Sequence, residues 1–135
     1  MTTAAPASRV KKSTNIIAWV LQVLLAAAFL AAAGAKLAGL PMMVQVFDQI
    51  GLGQWFRVVT ASVELAGAVA LLVPGFAGLG ALWLGATMFF ATLTHIAILH
   101  TSAAPAMVLF ALALILAWLR RDQLWVVRDK ALGTK

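Results

Sequence analysis

Three ionisable side chains, Lys36, Glu64 and His95, stand in stretches otherwise built of Ala, Leu, Val, Phe and Gly. Charge placed in an apolar medium is costly, so each such residue is a functional hypothesis in its own right. Their spacing adds to the case. Gln22, Phe29 and Lys36 are seven apart and share one face of a helix, as do Thr60 and Glu64, and Thr87, Ala91 and His95. Stripes of this kind would line a polar seam. A carboxylate, an ammonium and an imidazole converging from three helices suit proton-coupled handling of a small apolar molecule bearing oxygens, of which a quinone is the obvious example. Lys36, Glu64 and His95 are therefore the candidate ligand-binding or proton-handling residues, with Gln22, Thr60 and Thr94 in second place.

The same residues have plainer readings. Lys36 and Glu64 could form an ion pair that fixes helix register. Lys36 could instead send its ammonium along its stem to the headgroups, and His95 could bond a loop carbonyl. A metal is a poor fit, with one His and one Glu on separate helices, and no Ser/His/acid set can be assigned for nucleophilic catalysis. The chain has no cysteine, which removes thiolate metal sites, Fe–S clusters and dithiol redox chemistry.

The elements that must position these groups follow from composition. Of 135 residues, 64% are hydrophobic, with a mean hydropathy of +1.01, against about 45–50% apolar in ordinary soluble domains. Residues 65–119 contain no Asp, Glu, Lys or Arg. A small soluble domain has too much surface to leave so long a stretch apolar. The expected fold is all-α, an integral membrane four-helix bundle. Its membrane domain is expected over residues 16–119, between basic tails at 1–15 and 120–135.

Within that domain the first span is expected over 16–36. Its uncharged run of 20 residues, 16–35, fits a retained span better than the ~7–15 residues of a signal core. Residues 39–55 hold Pro41, Asp48, Gly51 and Gly53 among apolar side chains, too broken to span and too apolar for a free loop, and predict a short interfacial helix or re-entrant segment. The second span is expected over 56–73, stopped by Pro74-Gly75. The third is expected over 77–99, and the fourth over 106–119, or from 103 if Pro105 occupies the first turn. Trp118, Arg120 and Arg121 close it at the headgroups, and residues 122–130 lie along the surface. Ala27/Ala31/Ala35, Ala28/Ala32, Ser62/Ala66/Ala70 and Ala81/Gly85 recur at four-residue spacing and are expected to be the faces on which the helices approach each other.

Charge placement gives a topology. Arg9, Lys11 and Lys12 precede the first span, and Arg120, Arg121, Arg128, Lys130 and Lys135 follow the last. With four spans both tails lie on one side, and the excess of bases puts them in the cytoplasm, with the protein in the inner (cytoplasmic) membrane. The net charge of +6 is a membrane signal, with lipids as partners, and no nucleic-acid motif accompanies it.

The ordered set Phe29, Gly34, Lys36, Leu37, then Phe47, Gly51, Gly53 and Trp55, then Glu64-Leu65-Ala66-Gly67 with Leu71, Leu72 and Pro74, then Met88, Ala91, Thr94 and His95 resembles the DoxX-like family of small four-helix membrane proteins. The resemblance runs from about residue 19 to 119. It implies an accessory subunit of a quinone-linked oxidoreductase or a binder of a quinone-like molecule, with no covalent cofactor and with a redox-complex partner or a second copy of the chain. Other relatives of this kind act as assembly factors. A non-enzymatic scaffold and an oligomeric small-solute permease are the competing expectations.

Overall fold

A computed structural model describes residues 12–133. The cytoplasmic-tail expectation for 1–11 and the basic residue Lys135 fall outside the described residues.

The helix breaks lie where Gly and Pro demand them. α1 (Lys12–Leu37) is 26 residues long, about 39 Å at helical rise. It ends at Gly39, whose φ of +66° is the left-handed region that glycine enters without strain. The Gly39 N–H and the Arg57 guanidinium both donate to the carbonyl of Lys36. α2 (Pro41–Ile50) starts with proline in its first turn and ends on Gly51, φ +83°, whose N–H returns to Phe47 O. The expected interfacial segment is thus a ten-residue helix. α3 (Gln54–Leu72) stops where Val73 turns extended ahead of Pro74, as the residue before a proline prefers. α4 (Ala77–Thr94) runs on into a π-helical turn, His95–Leu99. α5 (Ala104–Leu119) takes Pro105 into its first turn, and α6 (Arg121–Leu132) leaves it at a bend of 69°.

Among the described residues three helical stretches are long and apolar enough to cross a membrane: Lys12–Leu37, Gln54–Leu72 and Ala77–Leu99. α5, with 16 residues, reaches about 24 Å, short of the roughly 30 Å hydrocarbon core. It joins the set as a fourth when taken together with α6.

α1 packs chiefly on α3, α3 on α4 and α4 on α5, with α1 touching α5 to close the ring. Inside lie Leu25, Phe29, Leu71, Leu84, Met88 and Leu116, among alanines. Outward point Val20, Leu24, Val69, Phe90, Ile115 and many others, an apolar exterior that water would not tolerate as one continuous patch. α2 lies across one end of the ring against α3, the π turn and α1, and α6 rests on α4 at the other.

The faces that meet differ in part from those expected. Ala81 and Gly85 are buried, but on α1 the buried small residues are Ala18, Ala26 and Ala33, while Ala27, Ala28 and Ala31 face outward. On α3 they are Ala61, Gly67 and Ala68, with Ser62 and Ala66 outside. Four-residue spacing identifies a stripe, and in helices this rich in alanine several stripes overlap. The larger neighbours Leu25, Phe29 and Leu71 decide which one turns inward. Gly67 leaves no room for a side chain: a Cβ there would stand 2.5 Å from Leu84 Cδ2.

Candidate ligand pocket

Glu64 sits on the buried face of α3, one turn beyond Thr60, with 4% of its side chain exposed. Lys36, in the last turn of α1, reaches it with its ammonium: Nζ donates to Glu64 Oε1 at 3.1 Å and to Oε2 at 3.0 Å. Lys36 is 13% exposed, so its ammonium is committed to the pair and does not snorkel outward. Such a pair is costly to desolvate, and the geometry offsets this only when both partners are well bonded. Here the carboxylate receives two charge-assisted bonds, and one N–H of Lys36 is left over.

The pair stands in the wall of a cavity of about 420 Å³, within the ~300–1,000 Å³ typical of small-molecule sites. Phe29 and Ala32 of α1, Thr60 and Val63 of α3, and Thr87, Met88 and Ala91 of α4 form its sides. Met43, Val46, Phe47 and Ile50 roof it from α2, and Pro105, Ala106 and Leu109 of α5 complete the wall. Phe47 meets Phe56 edge-on at 5.9 Å between centroids, which fixes the roof to the start of α3.

His95 also lines this cavity, as do Thr94 and Leu99. The π turn begins at His95. An extra residue per turn widens the helix locally and re-aims side chains, which is why such turns recur at functional sites. His95 Nδ1 lies 2.8 Å from Thr101 Oγ1, so its partner is a hydroxyl and not a loop carbonyl. Nε2 remains for a ligand. The hydroxyls of Thr60 and Thr94 donate to Phe56 O and Phe90 O in their own helices, both at 2.8 Å, leaving oxygen lone pairs as their contribution to the pocket.

The structure thus brings Lys36, Glu64, His95, Thr60 and Thr94 to one cavity and leaves Gln22 out of it. Gln22 shares a face with Lys36 but lies 14 residues back, about 21 Å along the axis. There it is buried, donates Nε2 to Leu71 O at 2.7 Å and accepts from Arg120 Nε at 2.8 Å. Arg120 is folded inward there, against Gln22. Its neighbour Arg121 takes the exposed position, stacked 4.4 Å over Trp118.

Sequence reasoning missed the residues that hold the roof. Arg57 donates Nε to Gln54 Oε1 at 2.7 Å as well as capping α1 through Lys36 O, and Gln54 Nε2 reaches Asp48 Oδ1 at 2.7 Å and Val44 O at 3.0 Å. One chain of hydrogen bonds therefore joins α2, α3 and the residue that bears the ammonium. Arg57 was not singled out from the sequence. Its place beside Asp48 and Gln54, around two glycines, was the available signal.

A family model described as the DoxX-like family matches residues 20–119. No curated protein and no solved structure matches the chain.

Proposed function

This chain belongs to the DoxX-like family, and from that premise we propose that it is a four-span membrane protein whose cavity binds a small, neutral, oxygen-bearing apolar molecule of quinone type, in support of a quinone-linked oxidoreductase. One observation carries the reading: the Lys36–Glu64 pair, with His95, occupies the wall of a largely apolar cavity. The ion pair has no net charge, so a neutral ligand is favoured over an ion. The remaining Lys36 N–H can donate to a ligand carbonyl, and His95 Nε2 can donate or accept according to its tautomer. Aromatic and Met side chains supply the apolar contact.

Four spans with both termini on the cytoplasmic side of the inner membrane place this cavity toward the outer leaflet. The reading is tested by extracting the purified protein with organic solvent and assaying for quinone, and by titrating it with a short-chain quinone. Saturable binding by the wild type, lost in Glu64→Gln, supports it; no binding in either form sinks it.

A second reading rests on α1. Ala27, Ala31, Gly34 and Ala38 form an exposed face of small residues, and among the described residues nothing beyond the neighbouring helix backbone lies within 4 Å of a Cβ placed at Gly34. Such a face suits close approach by another transmembrane helix, as a scaffold, an assembly factor or a homo-oligomeric permease requires. Crosslinking in native membranes, with Gly34→Leu as the comparison, distinguishes these from a protein that acts alone.

A further inference from the structure

Among the described residues, no carboxylate meets the Arg120 guanidinium at ion-pair distance. It is buried, with 8% exposed, at the end of the helices away from Lys36 and Glu64. Its Nε donates to Gln22 Oε1 and its Nη1 to Asn15 Oδ1, both at 2.8 Å. Both partners are neutral amides. Gln22 is itself oriented by its bond to Leu71 O, so α1 and α3 together fix the guanidinium, and the Trp19 ring lies 5.8 Å from Cζ.

The sequence has four acidic side chains, Asp48, Glu64, Asp122 and Asp129. Asp48 bonds Gln54, Glu64 pairs with Lys36 and Asp129 with Arg128, while Asp122 is exposed in the first turn of α6. Among the described residues none of the four is within 4.0 Å of an Arg120 nitrogen. Buried charges are ordinarily paired, and arginine cannot shed its proton to escape the cost. Asp122 acts on Arg120 only from beyond ion-pair distance, which leaves a place at the guanidinium for an anion in direct contact.

The guanidinium has a group to offer it. Nη2 donates to no described residue. Since no buried polar side-chain atom among the described residues lacks a partner, Nη2 is not sealed inside and reaches the surface. Trp19 and Trp118 flank this level, as aromatics do at headgroup depth, and a planar guanidinium matches phosphate oxygens. We propose that Arg120, oriented by Gln22 and Asn15 beside Trp19, binds the phosphate of an anionic phospholipid where α1, α5 and α6 meet. This site is separate from the cavity at the other end and stands whether or not that cavity binds a quinone.

The test uses the purified full chain in mild detergent, titrated with phosphatidylglycerol, phosphatidylcholine or inorganic phosphate, and read by native mass spectrometry and by thermal denaturation. One phosphatidylglycerol should stay bound per chain and raise Tm, with phosphatidylcholine and inorganic phosphate at least fivefold weaker. Arg120→Gln retains the ability to hydrogen-bond its amide neighbours and loses the charge, and should weaken phosphatidylglycerol binding at least tenfold. Arg121→Gln, at an exposed position, should change it less than twofold. Equal retention of the two lipids by the wild type overturns the proposal, as does undiminished binding in Arg120→Gln. Inorganic phosphate binding as tightly as the lipid overturns the lipid assignment. The wild-type comparison decides the matter even if Arg120→Gln does not fold, and Asn15→Ala, near the surface, should lower phosphatidylglycerol binding severalfold in a folded chain.

Discussion

Lys36 and Glu64, 28 positions apart and on different helices, meet as a two-point ion pair at 3.0 and 3.1 Å in the wall of an apolar cavity. Removing one partner leaves a charge in a poorly solvated place, whereas removing both leaves an apolar wall. Glu64→Leu is therefore expected to lower stability by about 3 kcal/mol. The double variant Lys36→Met, Glu64→Leu should recover most of that loss while still failing to bind a short-chain quinone. Thermal denaturation and ligand titration on all four members of the cycle give the answer. Recovery of both properties together would show that the pair only fixes helix register.

His95 should discriminate by oxygen rather than by shape. His95→Leu is expected to weaken an oxygen-bearing ligand by roughly 2–10-fold, the worth of a neutral hydrogen bond. A hydrocarbon of the same outline should lose nothing. Parallel titrations with a quinone and its oxygen-free analogue check this, and equal losses for both would remove His95 from ligand recognition.

Arg57 joins the roof of the cavity to the end of α1. Replacing it with Met removes a cation from the C-terminus of α1, worth about 0.3–1 kcal/mol, and unties Gln54 from its partner. Amide exchange in α2 should accelerate about tenfold while the interior of α3 stays protected, because local opening reports the least-tied segment. Unchanged exchange in α2 would mean that Phe47 and Phe56 suffice to hold it.

Gly67 of α3 lies directly against the Leu84 side chain of α4. Alanine there would place Cβ 2.5–2.6 Å from the fully buried Leu84 side chain, and overpacking of this kind costs about 1–3 kcal/mol. Gly34→Ala, where among the described residues nothing beyond the neighbouring helix backbone lies within 4 Å of the new Cβ, is the matched control. A Tm for Gly67→Ala equal to that of the control would show that Leu84 yields without strain.

The chain has no native cysteine, so single cysteines report sidedness cleanly. An impermeant maleimide should label Ser102→Cys in intact cells, and Ala131→Cys only after permeabilisation. The reverse pattern would invert the topology drawn from the basic residues.

The sequence by itself determined the helices and their ends. A helix closes its hydrogen bonds locally, so apolar run length and the Gly39, Gly51 and Pro74 breaks suffice to place them. It also determined which polar residues were out of place, because Glu64 in an uncharged run is costly wherever the run packs. Only the tertiary structure decided which faces met. Ala26 and Ala33 turned inward in preference to Ala27 and Ala31 because of the bulk beside them, a choice made by shape across helices that spacing within one helix does not contain. The same holds for Gln22 and Arg120, 98 positions apart. A shared helical face suggested a place for Gln22 beside Lys36, but a face has length as well as direction, and distance along the axis sent Gln22 to the opposite end.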